Sequence, residues 1–264
     1  MSIKPLGKKQ YAKNEDWIET AAHIEEIVSR ESIDTLAKWT VEKIKMTTAG
    51  KSAAYAWSGG KDSIVLGKLC SDAGIADCMI GICNLEYPAF LKWILENMPE
   101  KCDVINVGID IDWLSKHQDM LFPRDSSKAG RWFSIVQHTA QRQYFKKHNK
   151  DIMILGRRKA DGNYVGKGTN IYTDSKGVTR YSPLSDWTHE DILAYIHYNK
   201  LPLPPIYDWK NGYLCGTHPW PARQWTGSLN NAWQEIYDID KSIVETAAEK
   251  IESAHLFLKG GEKK

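Results

Sequence analysis

Apolar residues recur at helical spacing in WIETAAHIEEIVSR (17–30) and SIDTLAKWTVEKIKM (32–46), which predicts two helices at the start of the chain. Ser32 and Asp34 supply N-cap chemistry for the second. The pattern then changes to short, nearly continuous apolar runs separated by amphipathic ones. SAAYAW (52–57) reads as a buried strand, DSIVLGKLCSDAG (62–74) as a helix, CMIGICN (78–84) as a strand, and PAFLKWILENM (88–98) as a helix with Pro88 in its first turn. CDVINVGID (102–110) is a third strand, RWFSIVQHTAQRQYFKKHN (131–149) a long helix and DIMILG (151–156) a fourth strand. Such alternation predicts an α/β fold, a parallel sheet with helices on both faces. Helical extensions are expected at both ends.

Beyond Gly156 the chain turns polar and glycine-rich as far as Trp187. DSKG (174–177) is a hairpin turn between NIY (170–172) and VTRYS (178–182), within a loop long enough to cover a site. THEDILAYIHYNK (188–200) is a helix with Thr188 as N-cap and Asp191 at N3. LPLPPIYDW (201–209) is expected to be extended, and residues 230–258 to be helical before a charged tail.

Composition narrows the setting. The 264 residues suffice for one full core, and a net charge of +2 with acids and bases interspersed gives no basic tract, so nucleic acid is not signalled. No apolar run reaches membrane-spanning length and the start lacks a signal-peptide core, which predicts a cytoplasmic protein without membrane contact. Cys70, Cys78, Cys83, Cys102 and Cys215 form no C-x-x-C pair, so neither a disulfide framework nor an iron–sulfur cluster is expected. Cys215 and His218 in CGTH lack the second pair that a zinc site needs. The eleven tryptophans are read as packing residues.

The chemistry concentrates in SGGKDS, Ser58 to Ser63, between the first strand and its helix. In parallel sheets ligands sit beyond the carboxyl ends of the strands. A helix start there presents backbone N–H groups and the positive end of the helix dipole, which suit a polyanion, phosphate first. Gly59 and Gly60 let the backbone come close, Lys61 adds a charge, and the Ser58 and Ser63 hydroxyls can donate. It is not a Walker A loop, because Tyr55 holds the first glycine position and Asp62 that of the magnesium-binding hydroxyl.

SGGKDS resembles the pyrophosphate loop of the ATP pyrophosphatase (PP-loop, adenine nucleotide alpha hydrolase-like) superfamily. The motifs after it resemble the phosphoadenosine phosphosulfate (PAPS) reductase-like branch, which includes the small subunit of ATP sulfurylase. NLEYP (84–88), Arg131–Trp132, GRRKADG (156–162) and SPLSDWTHEDILAYI followed by LPLPPIYD carry the likeness, from about residue 34 to 225. It implies three segments: an N-terminal helical extension (1–30), a nucleotide-binding domain (31–225), and a C-terminal helix and tail (226–264). It places Arg158 on the family's arginine and Asp161 on its acid. Phe133 stands where a cysteine usually follows the Arg-Trp pair, and Thr217 and Trp220 where iron–sulfur members have cysteines. No cysteine follows Cys215 to serve as the reductases' thiol. Lys61 and Asp62 complete the ATP type of loop.

The resemblance therefore implies ATP with magnesium, cleaved between the α and β phosphates to adenylylate an acceptor. Ser58, Gly59, Gly60, Lys61 and Ser63 would hold the leaving pyrophosphate. Asp62 would meet magnesium through water. Arg158, with Arg157 beside it, would neutralise the α-phosphate. Glu86 and Asp161 stand open as magnesium or ribose ligands or as plain surface acids. Asp186 is open as a helix cap, and Trp187 as a packing residue or an adenine platform. Three classes remain: an adenylylating enzyme in sulfur metabolism or nucleic-acid modification, a PAPS reductase, and a nucleotide-binding subunit of a larger or homo-oligomeric assembly. The acceptor is unidentified.

Overall fold

The computed structural model describes residues 5–7, 12–223 and 227–261, except the side chain of Ser126; residue 225 and the end of the charged tail lie outside them. In chain order the elements are α1 (Asn14–Ala22), α2 (Ile24–Ile27), α3 (Arg30–Thr48), β1 (Ala53–Ala56), α4 (Lys61–Asp72), β2 (Cys78–Ile82), α5 (Pro88–Asn97), β3 (Cys102–Asn106), α6 (Ile111–Lys116), α7 (Ser126–Phe133), a π-helical turn (Ser134–His138), α8 (Thr139–Lys147), β4 (Ile152–Ile154), β5 (Ile171–Thr173), β6 (Thr179–Tyr181), α9 (His189–Asn199), α10 (Gly212–Cys215), α11 (Leu229–Ile239), α12 (Lys241–Ala248) and α13 (Glu252–Gly261). They fall into two compact units: Met1–Ile80, Asn97–Val104 and Gln141–Pro204 in the first, Gly81–Glu96, Ile105–Ala140 and Pro205–Lys264 in the second.

The first unit carries the site. Its sheet has the order β3-β2-β1-β4-β6-β5. β1 pairs in parallel with β2 and β4, β4 with β6 likewise, and β5 folds back antiparallel on β6. The predicted α/β class, a mostly parallel sheet clothed by helices, is therefore present. Successive residues of β6 show why both faces need cover, since side chains alternate across a strand. Tyr181 reaches Thr47 of α3 and Cys70 of α4. Arg180, one residue earlier, bonds Gln141 of α8 and Asp174 from the opposite face. The order also has a reversal. The chain steps outward from β1 to β2 and β3, then returns to lay β4 on the other side of β1. The carboxyl ends of β1 and β4 thus flank the switch point where such sheets take their ligands.

The second unit holds aromatic ring pairs and a buried arginine. Phe122 meets Trp233 at 4.9 Å and Tyr87 meets Trp209 at 4.8 Å between ring centres. Arg223 donates to Glu235 Oε2 at 3.1 Å, to the Tyr87 hydroxyl at 3.4 Å and to the Lys210 carbonyl. Gly81 lies so close to the start of α8 that an added Cβ would stand 2.6 Å from the Ala140 methyl.

Several predicted boundaries move for local reasons. The second N-terminal helix begins earlier than read, because the Ser29 hydroxyl caps it by accepting from Ser32 N–H at 3.2 Å, and a break at His23 separates α1 from α2. The long helix begins at Ser126, capped by Asp125, and is interrupted by the π turn. The C-terminal stretch is three helices rather than one. Asp240 leaves helical geometry (φ −157°, ψ 103°) and caps α12 through Ser242 N–H at 3.0 Å. LPLPPIYDW ends in a 3-10 turn, Pro205–Asp208, rather than staying extended. The DSKG hairpin and the Thr188–Asp191 capping box stand as predicted.

Candidate functional site

The loop after β1 is held by its own hydroxyls. Ser63 Oγ accepts from Ser58 N–H at 3.0 Å and donates to the Gly60 carbonyl at 2.9 Å, while Ser58 Oγ stands 3.2 Å from Ser63 Oγ. Gly59 takes φ +67°, a region that favours glycine, and Gly60 (φ −80°, ψ 154°) is the N-cap of α4. The first turn of α4 therefore opens at the end of a buried strand with two hydroxyls fixed beside it.

Lys61, Asp62 and Arg158 meet there. Lys61 Nζ lies 2.7 Å from Asp62 Oδ2, and Arg158 Nε lies 2.6 Å from Asp62 Oδ1. Arg158 comes from the segment after β4, the neighbour of β1, and is extended (φ −130°, ψ 149°). Its side chain is fully buried at 0% exposure and its guanidinium meets four acceptors. Nη2 reaches Asp161 Oδ2 at 3.0 Å and His189 Nδ1 at 3.0 Å, and Nη1 donates to the Trp187 carbonyl at 3.3 Å. A guanidinium only donates, so His189 Nδ1 is the acceptor. Lys61, with a side chain 4% exposed, is equally sequestered. Burying charges this way is tolerated only because each is paired and hydrogen-bonded.

The other candidates separate. Arg157 bonds the Tyr172 hydroxyl at 2.7 Å and the Tyr164 carbonyl at 3.4 Å, on the hairpin side, and burial lowers its pKa. Asp186 does not cap α9; Thr188 does, and Asp186 pairs with Lys159 at 2.6 Å, which lowers its carboxyl pKa. Trp187 packs, 2% exposed, and donates Nε1–H to Thr40. Glu86 belongs to the second unit, buried beside Cys83, whose N–H donates to Oε1 at 3.3 Å. Burial pushes the Glu86 carboxyl up to about 8, so it holds its proton at neutral pH. Two residues missed in the sequence border the cation cluster: Trp17, whose ring lies 4.9 Å from Lys61 Nζ, and His189. His189 follows the predicted N-cap directly, whereas nothing local marked Trp17.

The donors bear on magnesium. Asp62 has both oxygens engaged by cations, while Asp161 Oδ1 is buried with no hydrogen-bond partner among the described residues. No group of three His, Cys, Asp or Glu among those residues converges as a metal set. Such a donor set fits an ion carried mainly by phosphate oxygens and water with one protein carboxylate.

The cysteines have a different character. Cys70, Cys78, Cys83 and Cys215 are buried and Cys102 is half-buried. Burial pushes the Cys70 and Cys83 thiols up, and a hydrogen bond with Cys78 followed by burial does the same to Cys102. No helix among the described residues is long and apolar enough to cross a membrane.

The family model for the phosphoadenosine phosphosulfate reductase domain matches residues 52–215, more than half of the chain. A phosphoadenosine phosphosulfate reductase of Emericella nidulans is 28% identical over 102 residues, 39% of this chain, which spans about a third (32%) of that protein. A phosphoadenosine 5'-phosphosulfate reductase of Vibrio cholerae is 20% identical over 226 residues, 84% of this chain and 85% of that one. The crystal structure of a PAPS reductase from Candida auris, in a phosphate complex, superposes with a TM-score of 0.50 at 18% identity, covering 69% of this chain and 94% of that one.

Proposed function

The chain belongs to the phosphoadenosine phosphosulfate reductase domain family, and from that premise we propose that it binds ATP at the Ser58–Ser63 loop and cleaves it between the α and β phosphates to adenylylate an acceptor. The observation that carries this reading is the meeting of Lys61, Asp62 and Arg158 at the start of α4, on the switch point of the sheet. A triphosphate needs N–H groups, hydroxyls and cations fixed in one place, and positioning with charge stabilisation is most of what phosphoryl-type transfer asks of a protein. Loop amides with Ser58, Ser63 and Lys61 would hold the β and γ phosphates as one leaving group. Arg158, expected to meet the α-phosphate itself, is buried among its own acceptors and would instead fix Asp62 and Asp161 beside the phosphates, with Arg157 as a second cation nearer the hairpin. Asp161, or Asp62 through water, would hold magnesium, which supplies Lewis-acid charge neutralisation when bound. The acceptor oxygen attacks the α-phosphorus, the bond to the β-bridging oxygen breaks, and pyrophosphate leaves. On this reading residues 31–225 are the nucleotide-binding domain and residues 1–30 and 226–264 flank it.

The relatives' names favour a second reading, reduction of a sulfonucleotide. The cysteines weigh against it, because a reductase nucleophile must be a reachable thiolate, whereas burial pushes the Cys70 and Cys83 thiols up and Cys78 and Cys215 are buried. One experiment separates the two. Incubated with magnesium, α-labelled ATP and cell extract, the protein is expected to yield labelled AMP or an adenylylated product together with pyrophosphate. Protein-dependent ADP would overturn this reading, and sulfite released from PAPS with thioredoxin in the absence of ATP would establish the reductase.

A further inference from the structure

Lys61 is an unusual phosphate-loop lysine because its head is out of water. Its ammonium lies between Asp62 Oδ2, at 2.7 Å, and the ring of Trp17, at 4.9 Å from the centroid. Trp17 is fully buried and its ring meets that of His189 edge-on, 4.5 Å between centres at 69°. His189 in turn accepts from Arg158. One indole from α1 therefore touches the lysine directly and the arginine through a single intermediary. The segment around it is tied to the same place. Leu6 N–H donates to Glu190 Oε1 at 2.7 Å, next to His189, and Thr20 and Ile24 are buried.

We propose that Trp17 is a positioning residue of the nucleotide site, its indole face holding the Lys61 ammonium, so that the N-terminal segment is a working part of that site. This rests on reading the Ser58–Ser63 loop as the phosphate site. A hydrated ammonium leaves water at a cost of several kcal/mol in general. The negative face of an indole replaces part of that hydration, and the attraction strengthens as water is excluded. A leucine in its place offers no such attraction and leaves Lys61 able to swing into solvent on its flexible stem.

The test uses the full chain with Trp17→Phe and Trp17→Leu, each alone and combined with Lys61→Met. Three quantities are read: ATP affinity by calorimetry, the rate at which acetic anhydride acylates Lys61 by peptide mass spectrometry, and melting temperature. Protection of Lys61 is expected to fall in the order Trp, Phe, Leu. The Leu variant is expected to bind ATP about threefold to thirtyfold more weakly, the range of one desolvated cation–π contact. Its loss of melting temperature is expected to shrink on the Lys61→Met background, because the coupling has gone. A folded Leu variant with wild-type acylation rate and ATP affinity overturns the proposal. If that variant does not fold, the Phe variant decides, and equal melting losses with and without Lys61 overturn it. A wild-type protein that binds no ATP sinks the nucleotide reading alone, since acylation and melting still decide the role of Trp17.

Discussion

Glu86 and Lys61 illustrate two ways of keeping an ionisable side chain out of water. The Lys61 ammonium is held between a carboxylate and an indole face. Glu86 gives up its charge, with Oε1 accepting from Cys83 N–H and Oε2 buried without a hydrogen-bond partner among the described residues. The sign of the resulting pH dependence follows from the raised pKa. The folded state keeps a proton that the unfolded chain loses near 4.5, so the stabilising contribution is full below about that pH and is lost as pH rises through about 8. The melting temperature is therefore expected to decline across that interval, and Glu86→Gln to flatten the decline and to melt higher at its alkaline end. Parallel melting curves for the two proteins at every pH would exclude Glu86 as the source. The order of strand, loop and helix marked Ser58 to Ser63 as a candidate phosphate loop, and the family resemblance marked Arg158 and Asp161 as candidates beside it. The mutual pairing of Lys61, Asp62 and Arg158 was not legible, nor was Trp17. Which partner a charged group finds depends on side chains brought from distant parts of the chain, and hydrophobic periodicity does not encode that.

Among the elements, those fixed by local chemistry were readable and those fixed by competition were not. β1, α4, the DSKG hairpin and the Thr188 capping box followed from apolar runs, turn residues and cap spacing. Ser29 displaced Ser32 as a cap, and Asp240 cut one apolar periodicity into two helices, because a short polar side chain can bond the backbone as well as continue a helix. The π turn at Ser134–His138 had no signature at all, yet it faces β2. Gln137 donates to the Gly81 carbonyl at 2.9 Å, and the Gly81 Cα approaches Ala140 too closely to carry a methyl group. Gly81→Ala is expected to cost about 1–3 kcal/mol through overpacking. Ala140→Gly, introduced together with it, should return most of that loss, since the clash is between two methyl groups. Denaturant melts of the four proteins measure the coupling; additive losses would mean that the strand and helix relax apart instead.

At the scale of the whole molecule, the alternation of strands and helices announced the fold class, while the strand order had to come from the structure. That order sets when the site can exist. Asp62 and Arg158 are 96 residues apart in sequence, and only the return of β4 to the side of β1 brings them together. Arg158→Met is expected to lower stability by about 3 kcal/mol, because it removes the buried cation that Asp161 shares with Asp62, leaving Asp62 with Lys61 alone. Nearly all of that loss should emerge as faster unfolding, with refolding unchanged, if so distant a contact closes after the rate-limiting barrier. Stopped-flow measurement of both limbs decides this, and refolding slowed in proportion would put the pair inside the nucleus. The same separation acts during synthesis. At roughly 5–20 residues per second, a ribosome needs about 5–20 s to travel the 96 residues between the acid and its arginine. Throughout that interval the Ser58–Ser63 loop has been translated and Arg158 has not, so a stalled or truncated nascent chain ending before Arg158 carries the loop without an assembled charge cluster.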